Sequence, residues 1–136
     1  MIKIVMKSLA KVLTLVCIAS PGLAKDVFVI AHPSVSLSAD EIQDVYIGDK
    51  QFAGSQKLIL VENASVQGDF LGAVIKIDPK RYNSLWVKKS FRDGLAIPAV
   101  KGSDAEVIAF VKNNPGAIGY VSAAPQGVKA LAKFPQ

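Results

Sequence analysis

Residues 103–121 read SDAEVIAFVKNNPGAIGYV, and this stretch decides the fold class. Ser103 followed three residues later by Glu106 is a capping box, in which side chains satisfy amides that a first helical turn leaves bare. Val107, Ile108, Phe110 and Val111 then recur at helical spacing, which predicts an amphipathic helix. Pro115 disfavours helix at Asn114, and Gly116 frees the turn. AIGYV, residues 117–121, follows as a short apolar strand. Gly119 in its middle costs stability and marks a close approach of backbone or ligand. The first candidate for that neighbour is the preceding helix, packed tightly on the strand.

The same alternation extends outward. DVFVIAH (26–32), bounded by Pro33, predicts a buried strand, and a second capping box, Ser38 to Glu41, opens a helix carrying Ile42, Val45 and Tyr46 that stops at Gly48. DKQFAGSQ (49–56) is a polar turn segment with Phe52 in it. KLILVE (57–62) is almost continuously apolar, as suits a strand covered on both faces. In NASVQGDFLGAVIKI (63–77), Asn63 and Ser65 precede a helical pattern of Val66, Phe70, Val74 and Ile77. Asp78 as N-cap and Pro79 at the first helical position open a further helix, with Tyr82, Leu85, Trp86 and Val87 as its buried face. RDGLAIPAVKG (92–102) is a loop with an extended piece, and GVKALA (127–132) is a last strand. The order β-α-β-α-α-α-β-β predicts an α/β fold, a mainly parallel sheet covered by helices on both faces.

The amino terminus reads as an export signal. MIKIVMKSLAK (1–11) carries Lys3, Lys7 and Lys11 and runs into the apolar VLTLVCIAS (12–20). PGLA (21–24) then sets Gly22 and Ala24 at the spacing a signal peptidase reads. The apolar run is shorter than the ~20 residues a membrane span needs. The expectation is a cleaved signal peptide over 1–24, one domain over 25–136, and a periplasmic location. Without the leader, 13 basic residues face 11 acidic ones, so the precursor's net charge of +5 falls to +2. That balance gives no concentrated basic face for nucleic acid. Cys17, the only cysteine, leaves with the leader, which excludes disulfides and thiolate metal sites.

Catalytic constellations are poorly supplied. His32 is the only histidine, and no nucleophile elbow, Walker pattern or dinucleotide glycine pattern is present. Asp40, Glu41 and Asp44 belong to a helix start, where negative charge is favourable in its own right. No catalytic residue, metal-ligand set or cofactor is expected. Lys88, Lys89 and Arg92 form a basic cluster, read either as a solvated helix end or as a docking patch for an acidic partner.

Four stretches carry a resemblance: DVFVIAHPSV (26–35), LSADEIQDVYIGDKQF (37–52), VENASVQGDFL (61–71) and SDAEVIAFVKNNPGAIGYV (103–121). Together they are similar to the single-lobe members of the periplasmic phosphate-binding-protein-like family, within the type II solute-binding superfamily. The resemblance implies one binding-protein lobe with its ligand edge at helix N-termini. It further implies a small anion such as phosphate as ligand, and an ABC permease or another envelope protein as partner. Bare amides and partial positive charge at helix starts attract anions on physical grounds as well. The candidate contacts are Ser34, Ser36, Asn63, Ser65 and Gln67, on the condition that these helix starts share one rim.

Two functions stand on this reading. One is weak anion binding at the helix starts. The other is an envelope protein-interaction or sensory accessory subunit that has kept the lobe and lost the ligand. The first is the leading expectation and the second its alternative, which draws support from the loop Ala64–Gly68, where neither the threonine nor the arginine of the family's phosphate binders is present. The oligomeric state is left open.

Overall fold

In the computed structural model, which describes residues 26–123 and 125–135, strand β1 (Val27–Ala31) leads through a loop to a 3-10 turn and helix α1 (Ile42–Tyr46). The expected leader lies outside the described residues. The Ser38–Glu41 capping box forms, with the Glu41 carboxylate accepting the Ser38 N–H at 3.0 Å. Next come a small hairpin, β2 (Phe52–Ala53) and β3 (Gln56–Lys57), then strand β4 (Ile59–Asn63). Helix α2 begins at Gln67–Phe70 and widens into a π-helical turn over Leu71–Ile75, ending where Lys76 adopts a left-handed conformation at φ 62°.

Helix α3 (Pro79–Asp93) starts as the sequence predicts: Asp78 Oδ1 accepts the Arg81 N–H at 3.0 Å and Pro79 holds the first position. Strand β5 (Ala99–Lys101), helix α4 (Asp104–Asn113) and strands β6 (Ala117–Val121) and β7 (Lys129–Phe134) complete the order.

The five main strands form one sheet in the order β5-β4-β6-β1-β7. The α/β class holds, and the sheet is mixed. β4 runs parallel to both β5 and β6, while β1 runs antiparallel to both β6 and β7. Strand alternation assigns the two faces. Val27, Val29, Ala31, Ile118 and Tyr120 face a core shared with residues of α1, α2 and α3, such as Tyr46, Phe70 and Trp86. Ile30, Val61, Ala117 and Val121 face the other core, covered by Val107 and Val111 of α4. Gly119 lies under α4. A Cβ there would meet Val107 Cγ1 at 2.7 Å and Val61 Cγ1 at 2.8 Å, so the close neighbour is the protein's own helix.

Candidate functional site

Because β4, β5 and β6 run parallel, their C-terminal ends open on one rim, and α2 and α4 both start there. Asn63, the last residue of β4, is fully buried. Its Nδ2 donates to Asp104 Oδ1 at 2.8 Å and to the Tyr120 carbonyl at 3.0 Å. Its Oδ1 accepts the Ser65 backbone N–H at 3.0 Å and the Ser65 hydroxyl at 2.6 Å. Asp104 occupies the first position of α4, and its Oδ2 accepts the Ser122 N–H at 3.1 Å and the Ser122 hydroxyl at 2.6 Å. One carboxylate thereby joins the ends of β4 and β6. Ser103 caps α4 by accepting the Glu106 N–H at 3.4 Å, while Glu106 Oε2 accepts the Gly102 N–H at 2.7 Å.

Directly beneath the rim, Glu62 is buried with its charge facing two phenols. Tyr120 donates to Oε1 at 2.6 Å and Tyr82 to Oε2 at 2.5 Å. Gln67, half-buried in the first turn of α2, lies near the same carboxylate. Burial pushes the Glu62 carboxyl above its ordinary value of 4.5, partly offset by the hydrogen bonds from Tyr120 and Tyr82. The same burial, with the Glu62 charge, drives both tyrosines well above the ordinary phenol range, so they remain donors. Phe70 of α2 stacks on Tyr120 with ring centroids 3.9 Å apart, and Tyr46 meets both rings edge-on. Polar and aromatic contacts together fix α2 to the sheet.

The predicted site residues divide between two ends of the molecule. Asn63, Ser65 and Gln67 are at this rim, as is Ser103. Ser34 and Ser36 follow β1, whose register places Ala31 beside Ile118 and Phe28 beside Val121. The loop after β1 therefore leaves the sheet at the start of β6, ~10 Å along the strands from the rim. There Ser34 Oγ accepts the Gly116 N–H at 3.1 Å and lies 2.9 Å from His32 Nδ1. Ser36 is exposed on the same loop. The expectation of one common rim is corrected on this point: it assumed that every strand before a helix points the same way, and β1 is antiparallel.

Charge at the rim is mostly negative. Asp69 in the first turn of α2 and Asp104 and Glu106 in the first turn of α4 lie on it, against Lys101 at the end of β5. Lys101 Nζ is 5.4 Å from the centroid of the Phe110 ring. Among the described residues no group of three histidine, cysteine or acidic side chains could hold a metal ion, and no helix is long and apolar enough to cross a membrane. Asp104, Ser122 and Glu62 were not singled out by sequence. The available signal was Glu62, a charge ending an apolar strand next to a polar asparagine.

An α/β lobe with helices starting at the C-terminal edge of its parallel strands has the fold of one lobe of solved phosphate-binding proteins. An ABC-type phosphate transport receptor from Vibrio cholerae matches with a TM-score of 0.51 and 16% identity, over 79% of this chain and 45% of the receptor. A Clostridium perfringens protein assigned as a phosphate ABC transporter substrate-binding protein, with bound phosphate, matches with a TM-score of 0.54 and 17% identity, over 79% and 44%. PstS from Borrelia burgdorferi gives 0.55 and 16%, over 79% and 47%. This chain thus spans under half the length of each, and at such identity the likeness is one of fold. No protein-family model matches the chain, and no curated protein is significantly similar in sequence.

Proposed function

We propose that this chain is an exported, periplasmic lobe of the phosphate-binding-protein type that works as a non-enzymatic interaction or sensory accessory subunit at the cell envelope. The observation that carries this reading is Asp104. Its carboxylate takes donors from Asn63 and Ser122, the groups with which the ends of β4 and β6 could otherwise hold an anion. Asp69 and Glu106 add like charge, which repels a phosphate dianion. Calorimetry with inorganic phosphate tests it. The expected result is no heat of binding and no melting shift at millimolar phosphate. A ligand present at 100 times its dissociation constant would add about 2.7 kcal/mol of stability, and such a gain would reverse the reading.

The second reading, weak binding of phosphate or a similar anion at the rim, is favoured by one observation. Ser65 is exposed there, at the start of α2, and the fold is that of part of the Clostridium perfringens protein solved with bound phosphate. An ABC permease would be the partner on that reading.

A further inference from the structure

We propose that the open sheet edge at β5, with the groove beside it, docks an extended segment of a partner protein in which apolar side chains alternate with carboxylates. This deepens the reading of the chain as an interaction subunit and assigns that role a surface.

β5 ends the sheet order, so its outer side has no strand neighbour. The Lys101 carbonyl accepts the Ala64 N–H at 2.8 Å, which turns the Lys101 backbone toward β4. Backbone groups alternate along a strand, so the N–H and C=O of Val100 point outward, free to pair with an added strand. β5 is only three residues long, but its outward-facing Val100 carries no blunting charge and is 58% exposed, and Ile97, shortly before the strand, is 54% exposed.

A groove of about 440 Å³ runs alongside, floored by Leu58, Ile59, Trp86, Ile97, Pro98 and Phe110. Its lining includes Lys50 and Lys57 and no acidic side chain. Lys50 is paired with Glu41 at 3.2 Å, whereas Lys57 has no carboxylate partner among the described residues. Lys101 sits over the Phe110 ring that forms one wall. An apolar floor with two lysines in its lining, of which Lys57 is unpaired, complements a segment carrying apolar and acidic side chains.

The test uses the purified protein and two synthetic nonapeptides, one alternating valine with glutamate and one alternating valine with lysine. Amide shifts over 97–102 and the fluorescence of Trp86, the single tryptophan, report on the groove. The glutamate peptide is expected to perturb both. Lys57→Glu is expected to weaken it about tenfold, and Val100→Pro, which removes an outward N–H at an edge where proline is tolerated, by a similar factor. Equal binding of the lysine peptide, shifts confined to residues 63–67, or no shift at millimolar peptide overturns the proposal. So does sedimentation showing a dimer that Val100→Lys dissociates. The phosphate calorimetry is independent of these outcomes, so failure of the docking surface and failure of the functional reading are separable.

Discussion

Asp104 Oδ1 accepts a hydrogen bond from Asn63 Nδ2 at 2.8 Å, and through this contact the start of α4 is tied to the end of β4. A carboxylate at a helix start is stabilised by the helix dipole, so Asp104 is held by both field and hydrogen bonds. It behaves as an internal anion, matched in sign to what the bare amides of a helix start attract.

Replacing Asp104 by alanine removes the acceptor of the Asn63, Ser122 N–H and Ser122 hydroxyl bonds together. Hydrogen bonds to a charged group contribute about 1.5–3 kcal/mol, and partial exposure of Asp104 places the expected loss at the lower end. Urea denaturation measures it. The freed donors should also give the variant a phosphate-dependent melting shift that the parent lacks. An Asp104→Ala protein as stable as the parent would show that the carboxylate does not clamp the rim.

Gly119 lets α4 approach the sheet, and Gly119→Ala forces its new methyl into Val107 and Val61. Overpacking of this kind costs about 1–3 kcal/mol. Adding Val107→Ala should recover part of that loss, which a double-mutant cycle measures as coupling between the two sites. Purely additive effects would mean that the glycine is there for backbone reasons alone.

The fold was legible where local chemistry and burial pointed the same way. Asp78 with Pro79, the Ser38–Glu41 box and the Gly116 turn set element boundaries that hold. Strand direction was not legible, because DVFVIAH is equally apolar whichever way it runs, and the antiparallel entry of β1 is decided by its pairing with β6 and β7. That one reversal carries Ser34 and Ser36 away from Ser65. The role of Asp104 was hidden for a related reason: a first-turn aspartate is common in helices, and only the ends of β4 and β6 brought to it by folding make it a clamp.

Ser34→Ala tests the separation of the two ends. It removes the acceptor of the Gly116 N–H, a cost of about 0.5–1.5 kcal/mol. Amide shift changes should fall on residues 32–35 and 116–117 and leave 63–67 and 122 unmoved. Changes at residues 63–67 would place the serine loop at the rim after all.

Glu62 gives the protein a pH dependence opposite to the usual acid loss. Its native carboxyl titrates above 4.5 because burial outweighs the hydrogen bonds it accepts. Above the raised value the buried charge is carried at full cost. As pH falls through the raised value, the native state takes up a proton before the unfolded chain does, and stability from this group rises until the unfolded chain protonates near 4.5. Glu41, held below the ordinary carboxylate value by Ser38 and Lys50, works the other way, contributing stability that is lost as pH falls below 4.5. Comparison with Glu62→Gln cancels Glu41 and isolates the buried group. The parent should therefore gain stability relative to Glu62→Gln between pH 7 and pH ~4.5. Tyr120→Phe, which deletes one donor to the charged form, should cost about 1.5–3 kcal/mol at pH 7 and less at pH ~5. A parent-minus-variant difference that stays flat across the range would mean that Glu62 is solvated in a way its 2% exposure does not allow.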